Sequence, residues 1–278
     1  MKKEKLKIAL ANLKVNLNDD INSLSNKPNL DLNKLDIIHK ILNLARRSNV
    51  DMVVFPEISI PLYWLNDLIT FSKNSEIAII GGLEHFSINQ VTYNYSFVLL
   101  PFKDNKKYKN VFIDFNLKKY YSPGEIKTIE CRFLKCPKIN DYNVKIYSYY
   151  DIKFAVFNCF ELTNLELRSQ VFKKVDFVIV IEYNKDVNYY SNLVTSLSRD
   201  LHAYVIQVNT IEYGENRIIS PSKTESLDIV KIKGGEDVNI VTGTINIKEL
   251  REFQNKSYIC QKEDKRYKPT PAGYQSDN

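Results

Sequence analysis

An α/β protein, with a mixed β-sheet covered by helices, is what this 278-residue sequence predicts. Three observations carry that reading. Short apolar runs rich in β-branched and aromatic residues recur along the chain, as strands buried on both faces require. Between them lie segments whose apolar residues fall at offsets of three and four, the period of a helix with one buried face. Strands that alternate with helices build a sheet with helices packed on it.

The elements follow in chain order. L-K-I-A-L-A-N from Leu6, D-M-V-V-F-P-E from Asp51, I-A-I-I-G-G from Ile77 and Y-S-F-V-L-L-P from Tyr95 read as buried strands. So do I-K-F-A-V-F-N-C, V-D-F-V-I-V-I-E and A-Y-V-I-Q-V-N, which end at Cys159, Glu182 and Asn209. Residues Asn18 to Asn33, with Pro28, read as a polar loop. After it Leu35, Ile38, Ile41, Leu42 and Ala45 share one helix face. Pro61 suits the first turn of a second helix. Leu162 to Lys174 and Tyr189 to His202 read as helices that follow strands. The sheet is mixed, because Gly81 to Pro101 reads as a strand, a turn and a returning strand. V-N-I-V-T-G-T-I-N-I from Val238, with the region before it, reads as another such pair. No composition break marks a second domain. Residues 1–254 form the domain, and 255–278 form a polar tail with Pro269 and Pro271, extended, partly disordered or an arm on a partner subunit.

With 44% hydrophobic and 26% charged residues the chain is an ordinary globular one, not a fibrous or disordered one. No apolar run reaches the ~18 to 20 residues that cross a bilayer. The start M-K-K-E-K-L-K-I-A-L lacks a long apolar segment with a cleavage site, so a cytoplasmic protein without a membrane partner is expected. Cys131, Cys136, Cys159 and Cys260 are too few and too unevenly spaced for a disulfide framework, and free thiols are expected. Cys131 and Cys136 lack a matching cysteine or histidine pair, so a zinc site is not expected. His39, His85 and His202 are isolated, and His202 reads as a packing residue near the late strand. Lys+Arg 39 against Asp+Glu 33 gives +6, which reads chiefly as solvated lysine faces. Two basic stretches, Lys103 to Asn110 and Gln261 to Lys268, are the candidates for a nucleic-acid surface.

Ligands of α/β sheets collect outside the carboxyl ends of the strands. There D-M-V-V-F-P-E ends in Glu57, and F-A-V-F-N-C-F-E carries Cys159. A third segment, K-K-Y-Y-S-P-G-E from Lys118 to Glu125, follows the strand-like V-F-I-D-F and offers cations and a carboxylate beside a Pro-Gly turn. Singly these are bland. A lone cysteine is more often a small buried hydrophobe, and a glutamate after proline a helix cap. Glu161 reads as the start of the following helix, where a carboxylate favours the positive dipole end.

In order, F-P-E, K-x-x-Y-x-P-G-E and N-C-F-E resemble the nitrilase, or carbon–nitrogen hydrolase, superfamily. I-I-G-G-L-E-H with Y-N-Y, V-I-Q-V-N-T-I-E-Y-G-E-N-R-I-I-S-P and V-T-G-T-I-N-I-K-E-L-R extend the likeness from about Lys5 to Gln254. The resemblance implies a four-layer αββα sandwich of two mixed sheets, no cofactor, and dimers or larger homo-oligomers. It implies cleavage of an amide, less readily a nitrile, through a cysteine thioester, and transfer of the acyl group to an amine would share that intermediate.

By the same likeness Cys159 is the nucleophile, Glu57 the general base and Lys118 the group facing the oxyanion, helped by the backbone N–H of Phe160. Glu125 orients the lysine and the substrate. Family spacing favours Lys118 over its neighbour Lys119. Tyr183 and Asn184 stand where the family lines its acyl pocket. Such residue types fit the reaction, because splitting an amide needs a nucleophile, a proton shuttle and an oxyanion donor. Tyr120, Tyr121 and Ser122 depart from the family's usual turn, and Phe160 replaces a common Trp or Tyr, so the pocket shape is this chain's own. K-x-x-Y-S-P-x-E, S-R-D-L-H-A-Y-V-I-Q-V-N, I-K-G-G and K-P-T-P are similar to nitrilase-like domains that accompany bacterial reverse transcriptases in phage defence. That narrower likeness implies a module binding a protein or nucleic acid partner.

Overall fold

A computed structural model describes residues 3–274. Fourteen strands, in chain order, are β1 (Lys5–Asn12), β2 (Met52–Val54), β3 (Ala78–Gly82), β4 (Phe86–Ile88), β5 (Val91–Tyr93), β6 (Tyr95–Lys103), β7 (Lys109–Leu117), β8 (Tyr147–Tyr149), β9 (Ile152–Asn158), β10 (Phe177–Ile181), β11 (Tyr204–Val208), β12 (Asn216–Ile219), β13 (Asp228–Ile232) and β14 (Asn239–Asn246). The helices are α1 (Leu17–Leu24), α2 (Leu32–Arg47), α3 (Leu65–Ser75), α4 (Pro123–Glu130), α5 (Leu165–Gln170), α6 (Val187–Leu201), α7 (Ile247–Gln254) and α8 (Tyr258–Glu263).

Two six-stranded sheets lie face to face, ordered β14-β1-β2-β3-β6-β7 and β13-β12-β11-β10-β9-β8. Alternation along each strand explains the layers. Ile8, Leu10, Met52 and Val54 face the second sheet's Phe154, Val156, Ile179 and Ile206, closing one core. Their neighbours Ala9, Val53 and Ile79 meet Ile38, Ile41, Leu42 and Ala45 of α2 on the outside. Val178, Val180 and Val205 likewise meet Val194 and Leu197 of α6. The result is the four-layer αββα sandwich.

Each sheet is mixed in the same way. Counted from β14 in one and from β8 in the other, the pairings run antiparallel, parallel, parallel, antiparallel, antiparallel. The middle parallel strand is β2 in the first sheet and β10 in the second. Their exits, near Glu57 and Glu182, thus hold equivalent places.

Two expectations need correction. Within the stretch from Asn18 to Asn33, read as a loop, the chain is helical through Leu24 as part of α1. The helix escapes the apolar pattern because two of its buried positions, Asp19 and Ser23, are polar, and Leu24 alone joins Tyr121 and Ile129 in a small satellite core. The run from Val238 does not return along the strand before it. β13 pairs with β12, whereas β14 crosses to pair with β1 in the other sheet, after Gly234 and Gly235 at φ of +122° and +142°. Positive φ there is open to glycine at little cost.

The segment after Gln254 packs back on its own chain as far as Tyr274. Tyr267 bonds Tyr204 hydroxyl to hydroxyl at 2.8 Å, and Thr270 N–H donates to Gln261 Oε1 at 2.9 Å. Residues 275–278 of the expected tail, and residues 1–2 of the basic N-terminus, lie outside the described residues. His202 stacks on Phe253 and its Nε2 bonds the Lys268 carbonyl. No helix among the described residues is long and apolar enough to cross a membrane.

Candidate active site

Glu57 stands three residues past β2, and the chain there is pinned from both sides. Phe55 N–H donates to the Ile80 carbonyl at 2.8 Å, Gly82 N–H to Pro56 O at 3.1 Å, and the N–H groups of Ser59 and Ile60 to Gly82 O. A Cβ on Gly82 would lie 2.6 Å from Glu57 Cα, so only glycine permits this approach. Ile58 sits at φ +55°, a left-handed conformation that a β-branched residue adopts only under constraint.

Lys118 directly follows β7. Its N–H donates to Asn94 O at 2.9 Å across the antiparallel pairing of Tyr95 with Leu117. Its side chain is fully buried, and Nζ donates to Glu57 Oε1 at 2.8 Å and to Glu125 Oε1. Asn94 Nδ2 donates to the same Glu57 oxygen at 2.9 Å. The Tyr121 ring centre lies 5.5 Å from Nζ.

Glu125 is placed by local sequence alone. In S-P-G-E, Ser122 caps α4, Pro123 fills its first turn, Glu125 N–H donates to Ser122 Oγ, and Ser122 N–H donates to Glu125 Oε2 at 2.7 Å. This reciprocal capping box fixes the carboxylate beside the lysine.

Cys159 leaves β9 at φ +45° and begins a short 3-10 turn, Cys159–Thr163. It is buried, and its Sγ donates to Tyr190 Oη at 3.9 Å, a long contact from α6. Glu161 ties this turn to the lysine segment. One of its oxygens accepts from Asn158 N–H at 2.8 Å, the other from Lys119 N–H at 2.6 Å. Glu161 thus stands at the start of a helical turn, as the sequence suggests, and also bridges two segments. Lys119 stays outside the buried cluster.

The electrostatics follow from burial and sign. Burial opposes the charge of Lys118, but the carboxylates of Glu125 and Glu57 outweigh it and hold its pKa well above the usual lysine range. For Glu57 burial wins over Lys118 and, with help from Glu125, lifts the pKa above the usual carboxylate range. Burial also acts on Glu125, where Lys118 and the Ser122 N–H prevail and lower the pKa. Burial and then the Glu57 charge push the Cys159 thiol far up, against Lys118. The resting pair is a neutral thiol facing a carboxyl group that titrates late.

The structure therefore brings Glu57, Lys118, Glu125 and Cys159 within mutual electrostatic reach. Phe160, half-buried, accepts from Thr163 Oγ1 through its carbonyl at 2.8 Å. Tyr183 stands 5.8 Å from Tyr213, ring to ring. Asn184 is tied by its backbone to Asn209, donating to Oδ1 at 3.1 Å and accepting from Nδ2 at 2.9 Å. Sequence reasoning missed Asn94, Tyr190 and Glu182. Tyr190 was findable, because it lies on the buried stripe with Val194, Leu197 and Leu201. Glu182 was findable as a carboxylate closing an apolar strand, the pattern that marked Glu57.

A cavity of about 690 Å³ at the edge formed by β6, β7 and β8, lined by Leu100, Phe102, Phe112, Ile146 and Tyr147, contains none of the four residues. The basic stretch at its rim is partly neutralised, since Lys103 and Lys109 both pair with Glu76. Among the described residues no group of His, Cys, Asp and Glu could hold a metal ion.

Neither a family model nor a curated protein matches the sequence. Solved structures do match. Saccharomyces cerevisiae Nit3, a member of branch 10 of the nitrilase superfamily, superposes with a TM-score of 0.64 at 16% identity, over 91% of this chain and 94% of that one. A mutant of the amidase from Nesterenkonia sp. AN1, carrying the acetamide moiety of fluoroacetamide on its active-site cysteine, gives 0.62 at 12% identity, over 93% and 96%. Another mutant of that amidase, in complex with butyramide, gives 0.62 at 12% identity, over 89% and 93%.

Proposed function

We propose, from the premise that this chain has the fold of the nitrilase superfamily, that it is a carbon–nitrogen hydrolase of the amidase type acting through Cys159. The observation that carries the reading is the fully buried Lys118, bracketed by Glu57 and Glu125 and within electrostatic reach of the thiol. A lysine so held is a fixed positive charge in a dry site, the arrangement that stabilises a developing oxyanion.

In the cycle the substrate carbonyl settles beside Lys118. As Sγ bonds to the carbonyl carbon, Glu57 takes the thiol proton, so no free thiolate need persist in a site that disfavours it. The oxyanion faces the Lys118 ammonium and the Phe160 N–H. Collapse breaks the C–N bond, and Glu57 returns the proton to the leaving nitrogen. Water then gives a proton to Glu57 and attacks the thioester, which releases the acid and restores the thiol. A base with a raised pKa suits both transfers near neutrality. Glu125 touches the lysine, not the reacting atoms, and acts as a positioning residue. Tyr183 borders the acyl side, and Asn184 holds that loop through Asn209.

The test is ammonia release from a panel of short amides and nitriles. Turnover of amides by the wild-type chain and its loss in Cys159→Ala are expected. Release that persists in Cys159→Ala, or no turnover of any compound by a folded wild type, overturns the reading.

A further inference from the structure

Among the described residues four glutamates are buried, and three have evident partners. Glu57 has Lys118, Glu84 has Lys34, and Glu161 has two backbone N–H groups. Glu182, fully buried, has only Gln207, whose single Nε2 donates to both carboxylate oxygens at 3.1 Å. Among the described residues no lysine, arginine or histidine stands within ion-pair distance of it. Arg217, across β12 from Gln207, is held by Asp228 and Ser191 instead.

The register places this carboxylate beside the nucleophile. Asn158 on β9 pairs with Ile181 on β10, so Cys159 and Glu182 are the next residues of adjacent parallel strands. Both continue the outward-facing rows, Phe157 then Cys159 and Val180 then Glu182, under α6. The thiol and Tyr190 both feel the Glu182 charge. Gln207 Oε1 is buried with no hydrogen-bond partner, a second polar atom left open at the same place. An isolated carboxylate in such a site is costly unless a cation meets it.

We infer that Glu182 recognises a protonated amine on the substrate, so that the site takes amides carrying an ammonium group close to the scissile carbonyl. This choice of substrate class rests on the amidase reading, but cation recognition beside Cys159 does not. The ammonium would donate to Glu182 and to Gln207 Oε1, turning the least satisfied polar pair of the site into a paired one. Burial pushes the free Glu182 carboxyl up to about 8, with the Glu57 and Glu215 charges adding to it. Cation binding would therefore release a proton from Glu182, and cation preference should grow from pH 7 to 9. Glu57, Glu215, Cys159 and Tyr190 are the titratable groups that face it.

The test labels the full chain with three methanethiosulfonates of similar size, aminoethyl (cationic), ethyl (neutral) and sulfonatoethyl (anionic), and reads each cysteine by peptide mass spectrometry. Ratios between reagents at one thiol cancel its thiolate fraction, and exposed Cys260 serves as the internal reference. At pH 8.5 the cationic-to-anionic ratio at Cys159 should exceed that at Cys260 by about tenfold or more, against the chain's +6 net charge. Glu182→Gln should bring the two ratios together. Equal ratios in the wild type overturn the inference, as does a preference that survives Glu182→Gln, and the wild-type comparison stands even if the variant fails to fold. If no amide of any charge is hydrolysed while the Cys159 preference is present, the amidase reading fails and the cation site remains.

Discussion

Two lysines, Lys118 fully buried and Lys34 partly so, are each clasped by two carboxylates, yet stand on opposite terms in this molecule. Lys34 pairs with Asp19 and Glu84, and Lys118 with Glu57 and Glu125. The charges are alike, but the settings differ. Lys34 rises from α2 toward α1, where Asn29 also bonds both Asp19 and Glu84, and although Glu84 lies two residues past β3, the cluster is bonded to no cysteine. Lys118 closes β7, faces a glutamate followed by left-handed Ile58, and shares its space with a cysteine that is itself left-handed. The contrast teaches that a buried ion cluster is common structural material. Convergence on a nucleophile at strand exits, held by constrained backbone, is what marks a site.

The comparison can be broken most sharply with the nucleophile itself. Cys159→Ala should take amide turnover to background while the thermal midpoint stays within a few degrees, because a small buried side chain is exchanged for another. An unchanged rate of ammonia release would erase the distinction between the clusters.

Next come the two lysines. Lys118→Met and Lys34→Met should each cost about 3 to 5 kcal/mol in urea unfolding, since each strands buried carboxylates. Only Lys118→Met should also change the alkylation rate of Cys159. If Lys34→Met alters that rate as much, the first cluster is part of the site.

A pH series sharpens the contrast between partnered and unpartnered glutamates. With a folded pKa of about 8 against an ordinary 4.5, Glu182 keeps its proton in the folded chain where the unfolded chain has lost it. Stability therefore falls as pH rises from 4.5 through 8. Glu182→Gln removes that loss and should be more stable than the wild type at pH 8 by about 4 kcal/mol, shrinking to nothing near pH 4. Unfolding midpoints that run parallel over this range would contradict the assignment.

The smallest effect tests how Glu125 is placed. Ser122→Ala removes one half of the capping box and should cost about 1 kcal/mol. It should lower turnover by more than that loss of stability explains, through a loosened Glu125, while Ser122→Thr restores both.

The strands and the main helices were legible because burial on both faces leaves apolar runs, and one-sided burial leaves a 3.6-residue period. Glu57, Lys118 and Cys159 stand out in the sequence because each closes or follows a strand with a side chain unlike the run before it, whereas Glu125, in the first turn of α4, stands out only through the family resemblance. What the sequence hid was cooperative. Helix α1 buries Asp19 and Ser23, which no hydrophobic pattern registers. The crossing of β14 to the first sheet depends on a partner, β1, more than 200 residues away, and local alternation cannot select it. The shared pairing order of the two sheets leaves no repeat in the sequence, since it is conserved in hydrogen bonds rather than in side chains. Asn94 and Tyr190 matter by where the fold carries them.

The central claim is that Cys159 is activated by Glu57 and Lys118. Exposure to 2-fluoroacetamide, followed by mass spectrometry of each cysteine peptide, tests it most directly, because displacement of fluoride by a thiol is slow unless a base removes its proton. The account predicts an acetamide adduct on Cys159, none on the exposed Cys131 and Cys260, and loss of amide turnover in Glu57→Gln. Labelling of the exposed cysteines at the same rate, or amide turnover that is indifferent to Glu57→Gln, would contradict it.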